Sequence, residues 1–364
     1  MKTKRIAVLA GDGIGEEVVR EAVKVLELVG EKGEFQFVKA LVGGQAFDEY
    51  GEHLPGETVK VCRNSDAILF GSVGGPVSES HLLKWKNCEV NSILALRKEF
   101  GFLANFRPAR VYSDLVCICP LKEDIVAYGV DLLIVRELLG DIYFGEHSVM
   151  VEDGKRVAID IARYDEDEIR AVAHVAFKAA QKRSGRLTSV DKANVLETSR
   201  LWRQTVHEVG EAEYPDVELS DMLVDNCAMQ LIKNPSQFDV ILCSNFMGDI
   251  LSDAAAVLPG SLGLMPSASI SASGFGLYEP SGGSAQDIAG MGVANPIAQI
   301  LSAAMMLAFS FEMFEEASLI ESAVELALAE GYRTKDIYSE GKILVGTQEM
   351  GDIICSKLMD ITRR

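Results

Sequence analysis

Short apolar runs rich in β-branched residues recur along this chain, and each empties into a glycine-rich or polar turn followed by a helical stretch. Ile6–Ala10 leads into Gly11-Asp-Gly-Ile-Gly15 and then the amphipathic stretch Glu16–Val29. Asp66–Phe70 leads into Gly71-Ser-Val-Gly-Gly-Pro76, while Val130–Val135 and Val240–Cys243 read as further buried strands. Predominantly apolar runs of this kind are how parallel strands covered on both faces appear, and their alternation with helices predicts an α/β fold. The Gly11–Gly15 spacing is G-x-G-x-G rather than G-x-G-x-x-G, and no acidic residue about 20 positions on closes a second strand. It predicts a tight strand-to-helix turn and argues against a Rossmann fold. No repeat, low-complexity tract or polar linker is visible, so two domains would be interwoven rather than strung in series.

Between Gly145 and Arg163, Ser148–Val151 and Arg156–Asp160 flank Glu152-Asp-Gly-Lys155, a hairpin signal with Asp-Gly at the turn. Such an arm either folds back on its own domain or exchanges with a second subunit, and the sequence leaves both open.

With 364 residues, 48% of them hydrophobic, the chain buries a large core and forms one large or two medium domains. No apolar run approaches the ~20 residues a bilayer requires. Met1-Lys-Thr-Lys-Arg5 runs straight into a strand rather than a signal peptide, so a cytoplasmic location is expected. Seven cysteines (62, 88, 117, 119, 227, 243 and 355) are scattered and lack a Cys-x-x-Cys pair, which predicts reduced thiols and neither a disulfide framework nor a zinc site. A formal charge of −19 repels nucleic acid and anionic membrane surfaces, so neither is an expected partner. Any anionic ligand then falls to a few local arginines.

Asp249 and Asp253, in Asn245-Phe-Met-Gly-Asp-Ile-Leu-Ser-Asp253, stand one helical turn apart just after the run Phe238–Ser244. Residues at i and i+4 share a helix face, so both carboxylates can close on one hard cation; a solvated helix face is the plain alternative. Arg97, Arg107 and Arg136 accompany them, the last ending the uncharged run Leu132–Val135. A guanidinium there needs a fixed anionic partner. Each arginine alone reads as a structural ion pair; together with the acidic pair they suit a small substrate carrying several carboxylates. Tyr143 sits in a glycine-flanked turn where a phenol can protonate a developing enolate, or simply pack. Lys192, a lone cation in an apolar run, suits base catalysis or snorkels from a strand end. Asp225 at a strand-to-helix transition is either a third metal ligand or a helix N-cap. In Tyr278–Gly290, small residues let backbone amides approach a phosphate, and Asp287 can accept both hydroxyls of an adenosine ribose while repelling a 2′-phosphate.

Taken together, Gly11–Gly15, Gly71–Pro76, Val135-Arg-Glu-Leu, Val190-Asp-Lys-Ala-Asn-Val-Leu196, Gly248-Asp-Ile-Leu-Ser-Asp253 and Asn295–Ala303 resemble the isocitrate/isopropylmalate β-decarboxylating dehydrogenase family over nearly the whole chain. The resemblance implies two interwoven α/β domains, residues 1–102 plus 260–364 for nucleotide and 103–259 for metal, substrate and dimerisation, with a β-arm at a dimer interface. It implies that Arg97, Arg107 and Arg136 grip the malate carboxylates. Asp249 and Asp253 would bind Mg²⁺ or Mn²⁺ with Asp225 from the other subunit, which also contacts substrate. Tyr143 and, across a homodimer with shared active sites, Lys192 would serve the acid–base steps. Gly283, Ser284, Ala285, Asp287 and Asn295 look like the NAD loop. Ile93 and Leu94, in the turn before Arg97, would desolvate an isopropyl group, which points to oxidative decarboxylation of (2R,3S)-3-isopropylmalate in leucine biosynthesis. A sister enzyme acting on isocitrate, homoisocitrate or tartrate, or a silent paralogue, is the alternative.

The chain departs from the family at several positions. Relatives usually carry threonine and glycine where it has Leu139 and Asp141, proline at Gln286, and glutamate and threonine at Ala254 and Pro259. A carboxylate at Asp141, two residues from Tyr143, is expected to raise the phenol's pKa.

Overall fold

A computed structural model describes residues 3–30 and 33–363; Met1 and Lys2 of the N-terminal reading lie outside the described residues. The longer strands in chain order are β1 (Lys4–Gly11), β2 (Phe35–Lys39), β3 (Ala67–Ser72), β4 (Phe102–Val111), β5 (Val130–Glu137), β6 (His147–Glu152), β7 (Lys155–Asp160), β8 (Arg186–Asp191), β9 (Glu218–Leu223), β10 (Val240–Cys243), β11 (Pro266–Ser271) and β12 (Gly276–Pro280). Helices that matter to the site are α1 (Gly15–Val29), α2 (Ala95–Phe100), α3 (Glu166–Gln181), α4 (Glu197–Glu213), α5 (Val224–Lys233), α6 (Asn245–Ala256) and α7 (Ile297–Ser310). Among the described residues no helix is long and apolar enough to cross a membrane.

The chain divides into two compact units, each discontinuous in sequence. Unit one comprises the described residues of Met1–Phe100, Tyr112–Pro120 and Pro259–Arg364; unit two comprises Gly101–Val111 and Leu121–Leu258. Residues 112–120 thus cluster with unit one, although the sequence division placed them in the middle segment. The buried guanidinium of Arg333 explains part of this, because its Nη2 donates to the Asp114 carbonyl at 2.8 Å and its Nη1 to that of Leu328 at 2.7 Å.

In unit one the strand order is β2-β1-β3-β12-β11, parallel except for the β11–β12 pair. β3 is buried at every position, as its uncharged sequence requires. The Gly11–Gly15 segment is the tight turn its spacing predicts: Gly11 and Gly13 have φ of +70° and +59°, and a Cβ on Gly11 would lie 1.9 Å from the Ser72 carbonyl oxygen. Between them Asp12 is buried and accepts from the amides of Gly44, Gln45 and Gly74 at 2.9, 3.1 and 3.0 Å, which ties three loops together.

In unit two the order is β4-β5-β10-β8-β9, with β5, β10, β8 and β9 mutually parallel and β4 antiparallel to β5. Parallel pairing aligns the carboxyl ends of four strands, where ligands of open α/β sheets gather. Arg136 lies near the end of β5 and pairs with Cys243 at the end of β10; Lys192 follows β8, Asp225 follows β9, and α6 follows β10. β6 and β7 form a separate antiparallel hairpin whose turn residues Asp153 and Gly154 have φ of +49° and +76°. Every β6 residue is exposed, Val149 and Val151 among them.

Candidate active site

Five of the residues picked from sequence meet at the end of β5. Arg136 is buried, and its Nη1 donates to Asp249 Oδ1. The neighbouring strand β4 presents Arg107, whose Nη1 donates to Asp253 Oδ1 at 2.7 Å and to Ser252 Oγ at 2.9 Å. Tyr143 donates its phenolic proton to Asp249 Oδ2 at 2.9 Å, packs edge-on against Phe246, and lies with its ring 5.7 Å from the Arg136 guanidinium carbon. Each carboxylate of the i, i+4 pair therefore faces a guanidinium, and both Asp249 oxygens are engaged by side chains of unit two.

Close approach of α6 to β5 makes these contacts possible. Gly248 has no side chain, and a Cβ there would lie 2.7 Å from Arg136 Cγ and 2.9 Å from its Cβ. Those atoms are the root of the arginine, not its mobile tip, so they cannot easily yield. Gly248→Ala is expected to destabilise the protein by about 1–3 kcal/mol and to displace Arg136. Thermal unfolding together with the substrate KM checks it: unchanged values of both would contradict the packing described.

Burial, followed by the hydrogen bond and charge of Asp249, raises the Tyr143 pKa, with Arg136 opposing. Asp141 raises it too, as its nearness in sequence led one to expect, but it is the smallest of these contributions. Its carboxylate is occupied elsewhere: it accepts from the amides of Phe246 at 3.0 Å and Ile142 at 2.9 Å, capping the start of α6 from a left-handed conformation with φ of +69°. A left-handed residue explains why glycine also suits this position.

Lys192 and Asp225 lie at the ends of β8 and β9 and pair with each other through Nζ and Oδ1. That bond is the largest cause holding the Asp225 carboxyl below its ordinary range. Asp225 is a first-turn residue of α5, whose N-cap is Leu223, so it is not the helix cap offered as the plain alternative. Among the described residues, no three His, Cys, Asp or Glu side chains cluster as a metal-ligand set. Asp249 and Asp253 offer a two-carboxylate site, and magnesium is commonly held by one or two carboxylates plus substrate oxygens. The donor set fits a hard divalent cation once Arg136 and Tyr143 release Asp249.

Unit one carries the other candidates. Arg97 on α2 is buried and donates from Nη2 to Glu279 Oε1 at 3.3 Å, while its buried Nε has no partner. Ile93 and Leu94 precede it in a wide helical turn, Ile93 buried and Leu94 half-buried. Gly283, Ala285 and Asn295 line a cavity of about 410 Å³ with Leu262 and Ala298 of α7. Ser284 is buried behind it and its carbonyl accepts from the Ile14 amide at 2.9 Å, docking the loop on the Gly11–Gly15 turn. Asp287 is exposed, and Gln286 donates from Nε2 to the Gly74 carbonyl at 2.7 Å. The cavity is largely apolar and bordered by open glycine backbone, which suits the adenosine half of a dinucleotide.

Sequence reasoning missed Asn245, which contacts Arg136, and Tyr164 and Glu137, which are linked to it by hydrogen bonds. The Asn245 side-chain oxygen accepts from both Nε and Nη2 of Arg136, at 3.1 and 2.8 Å. Its place beside Arg136 follows from the β5–β10 register, which the sequence does not display.

A family model described as isocitrate/isopropylmalate dehydrogenase matches residues 5–354. The chain is 54% identical to the 3-isopropylmalate dehydrogenase of Clostridium pasteurianum over 98% of this chain and 100% of that one. It is also 54% identical to the enzyme of the same name from Thermotoga maritima, over 98% and 99%. Among solved structures, isocitrate dehydrogenase from Methylococcus capsulatus aligns with a TM-score of 0.85 at 32% identity, covering 98% of this chain and 99% of that one. A β-decarboxylating dehydrogenase from Thermococcus kodakarensis aligns at 0.81 and 34%, covering 99% and 98%. With this match in sequence and in fold, the chain belongs to the isocitrate/isopropylmalate dehydrogenase family and is a dehydrogenase of that family.

Proposed function

We propose that this enzyme oxidises and decarboxylates (2R,3S)-3-isopropylmalate to 4-methyl-2-oxopentanoate and CO₂ with reduction of NAD, in leucine biosynthesis. The observation that carries the reading is the meeting of Arg107, Arg136 and Tyr143 on the acidic face of α6. Full-length identity of 54% to relatives named 3-isopropylmalate dehydrogenase, against 32% to an isocitrate dehydrogenase structure, supports this substrate over isocitrate.

Bound NAD would accept hydride from C2, and a Mg²⁺ or Mn²⁺ ion held by Asp249, Asp253 and the Asp225 of a second copy would draw electron density from the C2 oxygen. Arg97, Arg107 and Arg136 bind the two carboxylates, and their fixed forks set which face of C2 is presented. Lys192 Nζ takes the C2 hydroxyl proton. As the carboxylate on C3 leaves as CO₂, the electron pair of its bond to C3 forms an enolate, and Tyr143 Oη returns a proton to C3. Aliphatic Ile93 and Leu94 provide no polar partner for a third carboxylate and suit the isopropyl group. Gly283, Ser284, Ala285, Asp287 and Asn295 hold the dinucleotide, with the Asp287 carboxylate favouring NAD over NADP.

The working form proposed is a homodimer with shared sites. The exposed β6–β7 hairpin and the exposed Met229, Ile232 and Ile250 on α5 and α6 provide an apolar surface for a second copy. Lys192 and Asp225 exchange their mutual contact for the partner site on assembly. Neither nucleic acid nor membrane is a partner in this reading.

Incubation with 3-isopropylmalate, NAD⁺ and Mg²⁺ tests it. NADH and 4-methyl-2-oxopentanoate are expected in equal amounts, with none after chelation; absence of the oxo acid from the metal-supplemented reaction would overturn the reading.

A further inference from the structure

Arg136 owes its orientation to a buried chain of hydrogen bonds that starts at the root of the β-arm. Tyr164 lies four residues beyond β7, and its phenol donates to Glu137 Oε2 at 2.7 Å. Glu137 follows Arg136 directly and also accepts from the Gly140 amide, at 3.1 and 3.0 Å to its two oxygens. The same Tyr164 oxygen accepts from the Asn245 backbone amide at 3.0 Å. Asn245 is the first residue of α6, so this bond caps the acidic helix from outside, where Ser244 provides no side-chain cap. The Asn245 side chain then donates to the Gly140 carbonyl at 3.1 Å and accepts two bonds from Arg136. Glu137, Tyr164, Asn245 and Arg136 are all at least nine-tenths buried, so water cannot replace a lost partner.

We propose that Tyr164 and Asn245 are positioning residues that fix the Arg136 guanidinium against Asp249 and tie the base of the β-arm to the substrate site. Neither touches substrate. Three segments far apart in sequence meet at one phenolic oxygen: the end of β5, the segment after the arm, and the start of α6. A shift of the arm therefore moves Tyr164, and through Asn245 it moves both the arginine and the helix bearing Asp249 and Asp253. The inference rests on the proposed roles of Arg136 and Asp249 in binding the malate and its cation.

Tyr164→Phe removes one oxygen and keeps the ring. In the full-length enzyme it is expected to raise the KM for 3-isopropylmalate about tenfold, with the KM for NAD⁺ unchanged. A merely destabilised protein would lose active enzyme and lower kcat while leaving both KM values alone. Asn245→Ala should give the same split, and the double variant should be no worse than the worse single one, because both interrupt one chain. An unchanged substrate KM in both variants, or additive losses in the double, would overturn the proposal. Hydrogen exchange of α6 amides gives a readout free of turnover. Faster exchange in residues 245–250 of Tyr164→Phe, with the rest of the protein unchanged, supports the coupling; unchanged exchange there, or a general increase, overturns it. Should the wild type fail to oxidise 3-isopropylmalate, the proposed function falls and the exchange pattern alone decides the positioning role.

Discussion

Asp249→Asn is expected to lower kcat/KM for 3-isopropylmalate by about a thousandfold, since a bound divalent ion is worth several kcal/mol and each 1.36 kcal/mol is tenfold in rate. Asp249 stands where three requirements meet. It shares a helix face with Asp253, its Oδ1 accepts from Arg136, and its Oδ2 accepts from Tyr143 at 2.9 Å. Asparagine preserves the shape but removes the charge proposed to hold a cation, and it takes away the carboxylate that accepts from the buried Arg136 guanidinium. Raising the Mg²⁺ concentration should not restore the rate. Steady-state kinetics across a Mg²⁺ series measures this; a loss below about tenfold would remove Asp249 from the cation site.

Tyr143→Phe is expected to cost about 10²- to 10⁴-fold in kcat, the usual range for loss of a positioned general acid. The substrate KM should change little, because in the proposed site the carboxylates are held by arginines rather than by the phenol. Burial and the adjacent Asp249 raise the phenol above its ordinary value of about 10, so the group keeps its proton throughout the neutral range. The alkaline limb of the wild-type rate profile below about pH 9 should therefore not belong to Tyr143, and the phenylalanine variant should keep any limb seen there. Disappearance of that limb in the variant would contradict the upward shift.

The parts of the molecule legible in sequence are those written locally. Largely apolar, β-branched runs located β1, β3, β5 and β10 because a strand covered on both faces buries most of its side chains. Asp153 and Gly154 marked the hairpin because the turn needs left-handed backbone, which these two residues supply. The i, i+4 spacing alone suffices to put Asp249 and Asp253 on one helix face. Their partners were not legible, because the Arg136–Cys243 register that brings β5 beside α6 joins segments more than 100 residues apart. The same distance hid Tyr164 and Asn245, which are separated by 81 positions yet share a hydrogen bond. Asp141 was legible only in part. Nearness to Tyr143 in sequence gave its upward effect on the phenol, which is present but small, and hid its larger task, since the left-handed backbone turns its carboxylate to the amide of Phe246. The return of residues 112–120 to unit one was equally invisible, since it depends on the distant Arg333 reaching the Asp114 carbonyl.

Substrate choice is the most exposed part of the proposal, because isocitrate and 3-isopropylmalate share the malate core and differ in one substituent. The ratio of kcat/KM for the two acids, with NAD⁺ and saturating Mg²⁺, measures it directly. The role proposed for Ile93 and Leu94 predicts a preference for 3-isopropylmalate of about 10³-fold or more, because a third carboxylate would have to be desolvated without a polar partner. Equal turnover of the two acids, or a preference for isocitrate, would contradict it.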